Sequence, residues 1–291
     1  MDNKVEINPH KRKKLSKAKM RLRRFCAFMI ILLFVWWFNN YTLKLTKVKL
    51  SSGKITSPVR IAVISDCHST KHGINNSTIL NKVERTKPDI IFILGDMYSR
   101  DSDRDIMQIP IALTQSIVDA GYPVYFVTGD HDTDKEYIEA MTEMGAKSMN
   151  YNSELVNVNG NNIQIIGIDN VYYSPTFDLK NAFTLDNDCY SILMAHIPNY
   201  EKFADFGTNL TVCADTHGGM IQLPLGLGPA IDSSTMEWFP KIHGKTTVYD
   251  KGMFDYEDGI MFITSGIGVS PVPVRFNNRP EIAVIDIEPS K

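Results

Sequence analysis

The chain is poor in thiols. Its four cysteines (Cys26, Cys67, Cys189, Cys213) show no Cys-x-x-Cys spacing and form no disulfide framework. Cys26 lies in an apolar run near the N-terminus, and the others sit in or beside apolar strands, where they read as small buried hydrophobes. A nucleophile elbow, a Walker loop and a Rossmann fingerprint are also missing, which removes those nucleophile and nucleotide-cradle chemistries. There is no internal repeat and no low-complexity tract. Acids are scarce at the start: residues 1–24 hold ten Lys or Arg against only Asp2 and Glu6. The other 267 residues hold 21 basic against 31 acidic side chains, a net of −10. A body that acidic is a poor match for nucleic acid, whose binding depends on neutralising phosphates.

Charge is absent altogether from Phe25 to Leu43. The run Phe25–Phe38 is strictly apolar, and with Asn39–Leu43 it reaches the length a helix needs to cross a bilayer. Trp36, Trp37 and Tyr41 would form an aromatic belt at the far interface, and the basic flank would keep the N-terminus in the cytoplasm. A cleaved signal peptide shares the basic start and the short apolar run. Trp, Phe, Asn and Tyr stand where small residues would mark a cleavage site. The expected organisation is a basic cytoplasmic tail (1–24), a transmembrane signal anchor (25–43) and one extracytoplasmic domain (44–291), which puts the protein in the cell membrane as a single-pass protein.

With 43% hydrophobic and 22% charged residues, the rest of the chain has the makings of a folded core. Its opening strand carries the main signal. Arg60–His68 reads Arg-Ile-Ala-Val-Ile-Ser-Asp-Cys-His: an apolar run, then a sudden polar end. Asp66 and His68, two residues apart, would point to the same side of a strand end. By itself that is half of a divalent-metal site or a strand followed by an Asx-turn. The pattern recurs along the chain, however. Gly95-Asp96 follows the apolar run 89–94, Gly129-Asp130-His131-Asp132 follows 124–128, His196 follows 189–195, and Asp215-Thr216-His217 follows 210–214. Four of the seven histidines fall in these places. Imidazoles mixed with carboxylates, and no thiolate, suit Mn²⁺, Fe, Zn²⁺ or Mg²⁺ better than a structural zinc. Seven ligand candidates are too many for one ion; two metals sharing a carboxylate is the economical arrangement.

Elsewhere, helices are expected at Ser77–Thr86, stopped by Pro88, and at Ile106–Ala120. A third, reaching Met144, would be opened by a Thr133/Glu136 capping box. Asn159-Gly160-Asn161-Asn162 marks a hairpin between Leu155–Val158 and Ile163–Ile168. Tyr41–Leu50 alternates as a half-exposed strand, and three more strands are expected around Thr246–Tyr249, Ile260–Thr264 and Glu281–Ile287. The fold class is α/β, a two-sheet β-sandwich core flanked by helices and preceded by the N-terminal transmembrane helix. His72 and His243 fall outside the motifs and are expected to face solvent.

Taken in order, the five blocks resemble the calcineurin-like metallophosphoesterases, and in particular a membrane-anchored bacterial branch. The resemblance covers about residues 41–291, including Ser265-Gly266-Ile267-Gly268 and Arg275–Glu281. It implies a metallophosphoesterase-like fold and a phosphoric ester hydrolase. Asp66, His68 and His217 would hold one metal, His196 with Asp130 and Asp215 a second, and Asp96 would bridge them. A hydroxide between metals about 3.5–4 Å apart would attack phosphorus, and His131 would stabilise charge or act as the general acid. Asp132 would orient His131 or cap the following helix. Two positions depart from the family pattern: Asp130 stands where Asn is usual, and Asp215 where His is usual. Three carboxylates and one imidazole favour Mn²⁺ or Mg²⁺ over Zn²⁺, whereas an ionised Asp130 would repel phosphate.

Arg275 and Arg279 are candidates for clamping a phosphate, with surface ion pairs as the alternative. Met220–Pro240, rich in Leu, Ile, Met, Trp and Pro, is either an apolar lip over the site or a loop packed on the core. A lip would suit a lipid-linked phosphoester at the outer membrane face, and a phosphodiester is the leading substrate class. The main alternative is a weak or inactive relative that binds a phosphorylated ligand or partner; a further one is a metal-dependent hydrolase acting on something other than phosphorus.

Overall fold

The computed structural model describes residues 9–170, 174, 176–232, 235–245, 247–269 and 274–290, with side chains from residue 17 onward. The N-terminal helix α1 (Pro9–Tyr41) runs without a break through the boundary expected at residue 24; the first eight residues of the basic tail lie outside the described residues. Within it, the 25 residues Lys17–Tyr41 are long and apolar enough to span a membrane, about 37 Å at 1.5 Å per residue. Phe25, Ile30, Leu33 and Trp37 are all exposed, so the helix shows apolar side chains in several directions rather than one core-facing stripe. A second compact unit comprises Asn39–Lys291.

That second unit contains two six-stranded sheets. The first orders β1 (Lys44–Ser52), β12 (Glu281–Pro289), β2 (Val59–Ile64), β3 (Ile90–Ile93), β4 (Val124–Phe126) and β5 (Lys147–Ser148). The second orders β10 (Gly252–Tyr256), β11 (Gly259–Ile263), β9 (Leu210–Cys213), β8 (Tyr190–Ala195), β7 (Asn161–Ile168) and β6 (Asn152–Val158). Strands β2 to β5 are parallel, as are β7, β8, β9 and β11. The apolar runs 61–64, 90–93, 124–126 and 192–195 within them follow from burial on both faces.

The sheets pack face to face over Ile61, Val63 and Phe92 from one and Ile165, Ile192 and Val212 from the other. Helices α2 (Asn76–Thr86), α3 (Arg104–Asp119) and α4 (Lys135–Glu143) cover the outside of the first sheet through Ile79, Val83, Leu113, Ile117 and Met141. Helices α5 (Leu179–Ala182) and α6 (Tyr200–Phe206) cover the second with Leu179, Phe203 and Phe206. Each such side chain, fully removed from water, contributes about 1.5–3 kcal/mol of transfer free energy. The consequence for function is directional: the carboxyl ends of the parallel strands in both sheets meet along one edge.

Local expectations fared unevenly. Asn75 caps α2 by accepting from Thr78 N–H, Lys87 closes it at φ 49°, and Pro88 follows. The β6–β7 hairpin turns through Asn159 (φ 54°) and Gly160 (φ 84°), as Asn-Gly demands. The Thr133/Glu136 capping box does not form. Asp134 is the N-cap, without a side-chain cap bond, and its Oδ2 accepts instead from Tyr98 Oη at 2.7 Å. Residues 247–249 are not a strand, and Thr246 lies outside the described residues; the strand is β10, joined to β11 through Glu257–Asp258. The short helices α5 and α6 and the two-residue strand β5 carry too little periodicity to be read in advance.

Candidate metal centre

The site grows from two turns of the same shape on opposite sheets. After β2, Asp66 (φ 47°) and His68 (φ 38°) both adopt left-handed backbone, and after β9 Asp215 (φ 66°) and His217 (φ 50°) repeat it. Asp96, after β3, joins them at φ 53°. The strand-end reasoning for Asp66 and His68 is therefore corrected: the strand stops at Ile64, and the paired projection comes from a turn. Left-handed backbone at a non-glycine residue costs roughly 1–2 kcal/mol, and five of the seven ligand candidates accept that cost. The surroundings hold them there. Asp66 N–H donates to Gly95 O, His68 N–H to Asp96 O, and Asp215 N–H to Asp66 Oδ1 across the sandwich at 3.2 Å.

All eight residues expected from the five motif blocks come together. Ligand atoms of Asp66, His68 and His217 lie within 4.8 Å of one another, as do those of Asp96, Asp130, His196 and Asp215. Asp96 stands between the groups: its Oδ2 is 3.5 Å from His68 Nε2 and 3.3 Å from His196 Nε2. His196 Nε2 also sees Asp215 at 3.7 Å, Asp130 at 3.8 Å and Asp66 at 4.0 Å. His131 groups with His68 and Asp96 as well, and its ring meets that of His68 edge-on at 5.0 Å.

The donors have been left with lone pairs to give. His196 Nδ1 lies 2.5 Å from the Leu94 carbonyl, which can only accept, so that nitrogen carries hydrogen and Nε2 points at the carboxylates. Nε2 makes no hydrogen bond of good geometry despite complete burial, and neither does Asp66 Oδ2. Four carboxylates converge where the positive groups acting on Asp66 are the His196 ring and, more weakly, the Arg275 guanidinium. Buried charge without compensation is expensive, and a pair of dications would compensate it. The residues therefore fit divalent metal.

The electrostatics agree. Burial pushes the Asp66 carboxyl up to about 8 and Asp215 up to about 6, with repulsion from Asp96 adding to both. Burial also lowers His68 to about 4 and His217 well below the imidazole range, leaving both neutral and able to ligate. At His196 burial acts downward, but Asp96, Asp66 and Asp215 outweigh it and raise the ring above the ordinary imidazole range, so a bound cation would take the place of a proton on Nε2.

Glycine makes room for the ligands. A Cβ on Gly129 would fall 2.1 Å from Asp96 Oδ1, and one on Gly266 (φ 62°) 2.4 Å from Asp66 Oδ2. The Gly-Asp and Ser-Gly-Ile-Gly motifs thus serve the carboxylates by getting out of their way.

Several expected roles change. Asp132 neither orients His131 nor caps α4; it is buried and accepts from Met97 N–H (2.9 Å) and Gly129 N–H (2.7 Å), tying the β3 and β4 turns together. Arg275 does not face a substrate. It is 1% exposed, donating from Nε and Nη2 to Gly268 O (2.8 and 2.6 Å) and from Nη2 to Ser265 O (2.8 Å), with Nη2 3.5 Å from His217 Nδ1. Arg279 donates from Nε to Thr42 Oγ1 at 2.8 Å. An arginine near Pro looks like a surface clamp in one dimension; packing shows that Nε and Nη2 of Arg275 are committed to backbone carbonyls, with Nη1 buried and without a hydrogen-bond partner among the described residues. Two contributors left no motif at all: Ser99 Oγ, 3.0 Å from His68 Nδ1, and the Arg100 N–H, which donates to His131 Nδ1 at 3.1 Å. His72 and His243 are exposed, as expected.

A helix-flanked two-sheet sandwich with such a centre at its strand ends is the architecture of a metal-dependent phosphoesterase. The sequence profile of calcineurin-like phosphoesterases matches residues 59–219, the span that holds every ligand candidate, and the chain belongs to that family. It is a metallophosphoesterase, a hydrolase of phosphoric esters. Among its relatives, the uncharacterized metallophosphoesterase YkuE of Bacillus subtilis is 26% identical over 238 residues, 79% of each chain. Phosphodiesterase YaeI of Escherichia coli is 22% identical over 241 residues, 79% of this chain and 83% of that one. Among solved structures, NAD nucleotidase of Haemophilus influenzae aligns at TM-score 0.42 and 17% identity, over 72% of this chain and 45% of its own.

Proposed function

We propose that this protein hydrolyses phosphodiesters at the outer face of the membrane, with Asp66, His68 and His217 holding one divalent ion, His196, Asp130 and Asp215 a second, and Asp96 shared. The observation that carries this is the position of Asp96 Oδ2, within 3.5 Å of imidazoles from both groups. Bound divalent ions would supply Lewis acidity and a lowered pKa for water. The protein's own part is to stabilise the leaving group. Because a backbone amide can only donate, His131 Nδ1 accepts from Arg100 and the neutral ring carries its proton on Nε2. That nitrogen lies on the partly exposed side of the site, 3.9 Å from Asp130 Oδ2, where its N–H would hydrogen-bond to the departing oxygen and stabilise the charge developing on it. The carboxylate-rich second group favours Mn²⁺ or Mg²⁺. The diester preference rests on similarity to a named phosphodiesterase, and the outward topology on the basic flank of α1. A lipid-linked ester would suit both.

Asp130 supports a second reading, in which the protein binds a phosphorylated ligand with little turnover, since a carboxylate cannot donate to the reacting phosphoryl group the hydrogen bond that an amide would supply. Turnover of bis(p-nitrophenyl) phosphate by the detergent-solubilised full chain with Mn²⁺ decides between them. Hydrolysis that falls about 10²–10⁴-fold in His131→Ala with metal content unchanged supports catalysis. No turnover with any of the four metals, recovered in Asp130→Asn, establishes the second reading.

A further inference from the structure

We propose that the lobe following the last metal motif, built from 221–232, 235–242 and Phe276, docks on the interfacial layer of a phospholipid bilayer. The inference rests on the reading of α1 as a membrane span. Large apolar side chains point outward from this lobe instead of packing on the core: Leu225 is 97% exposed, Met236 70% and Trp238 60%, with Ile242 and Phe276 exposed beside them. They belong to one backbone-linked surface. Ile221 bridges to Phe276 and Ile231 to Trp238, Phe239 N–H donates to Ala230 O, and the Trp238 and Phe239 rings lie 6.0 Å apart.

The backbone works to present these residues. Leu225 (φ 61°), Met236 (φ 56°) and Phe239 (φ 50°) all take left-handed conformations that bulky side chains avoid. Strain of this kind, spent on exposing apolar groups to water, points to another medium.

Two observations identify that medium as lipid. First, Asn39 Oδ1 accepts from the N–H of Asn277, the residue after Phe276, at 2.9 Å. Asn39 lies in the last turn of α1, so this bond ties the chain beside Phe276 to the C-terminal end of that helix. Second, the lobe's charged residues balance, Lys241 and Lys245 against Asp232 and Glu237, and Lys245 Nζ lies 2.9 Å from both Asp232 Oδ2 and Glu237 Oε2. A Trp and aliphatic residues without a basic field match interfacial insertion into neutral lipid, which would hold the metal motif that ends at His217 close to the membrane surface.

The chain has three tryptophans, Trp36, Trp37 and Trp238, so fluorescence can separate span from lobe. The full-length protein would be reconstituted in phosphatidylcholine vesicles with brominated acyl chains, once as Trp36→Phe/Trp37→Phe and once as Trp238→Phe. The proposal expects Trp238 emission to be blue-shifted and strongly quenched by bromine, alongside quenching of Trp36 and Trp37. Quenched Trp36 and Trp37 with unquenched Trp238 overturns the docking surface and leaves the span intact; unquenched Trp36 and Trp37 overturns the span itself. An unquenched but blue-shifted Trp238 that depends on protein concentration assigns the lobe to a second copy of the chain, which also overturns the proposal. As an independent check, Leu225→Asp/Met236→Asp should abolish Trp238 quenching while turnover of soluble bis(p-nitrophenyl) phosphate stays unchanged; persistent quenching counts against docking through these side chains.

Discussion

Replacing Arg275 with Met would keep most of the buried volume and remove the guanidinium fork. Three hydrogen bonds of 2.6–2.8 Å end on the carbonyls of Ser265 and Gly268. A buried acceptor deprived of its donor costs about 1–3 kcal/mol, so two carbonyls put the loss near 2–6 kcal/mol. For a body of this size, each kcal/mol lowers Tm by about 2–4 °C, which predicts a drop of roughly 4–24 °C by thermal scanning of the solubilised chain. A second effect is electrical. Burial pulls Arg275 down only to about 10, so it remains charged at neutral pH, and its charge helps to hold the Asp66 carboxyl down. Without it Asp66 should keep its proton to still higher pH, and Mn²⁺ titrations near pH 7 should show weaker binding. Arg275→Lys should recover part of the metal affinity but less of the Tm, because an ammonium cannot reproduce the fork. An unchanged Tm in Arg275→Met, combined with a raised KM for a phosphodiester, would refute this reasoning and return Arg275 to the role of a substrate clamp.

Two further outcomes follow from the site. Gly129→Ala should lose metal binding far out of proportion to any loss of stability, because the new methyl group collides with Asp96 Oδ1 at 2.1 Å; metal content equal to that of the native protein would contradict the close-approach argument. Stripped of metal, the folded chain holds a proton on Asp66 up to about pH 8, whereas the unfolded chain releases it near 3.8. The folded state then binds the extra proton, so this contribution to stability is full below the ordinary carboxylate range and is lost as pH rises through about 8. His68 acts oppositely, but its window lies between about 4 and its ordinary value of 6.5. The Tm of the stripped chain should therefore fall between pH 7 and 8, the gain in Tm on adding Mn²⁺ should grow over the same range, and loading should release protons. A stabilisation by Mn²⁺ that is flat across this range would sink the assignment of Asp66.

Much of the site was legible because metal ligands occur as short blocks at strand ends. A buried parallel strand is apolar until it leaves the sheet, so Asp66, Asp96, Asp130, His196 and Asp215 stand out as the first carboxylates or imidazoles past each run. The order of the blocks carried the family. What surrounds the ligands was less legible, because support comes from atoms that carry no residue signature: the Leu94 carbonyl behind His196, the Arg100 amide behind His131, the carbonyls of Ser265 and Gly268 around Arg275. Asp132 shows the difference. In one dimension it is a cap or a partner of its neighbour His131; in three its carboxylate holds the amides of Met97 and Gly129.

By itself the sequence determined the alternation of strands and helices, the apolar N-terminal helix, the hairpin at Asn159-Gly160 and the candidate donors for a metal, since each depends on periodicity or residue chemistry within a few positions. Tertiary structure alone decided that two Asp-x-His turns from opposite sheets face each other through left-handed backbone, that Arg275 is enclosed while Leu225 and Trp238 are not, and that β10 replaces the strand expected at Thr246–Tyr249. Those outcomes depend on which surfaces remain to be covered once the two sheets have packed, and no local stretch of chain contains that information.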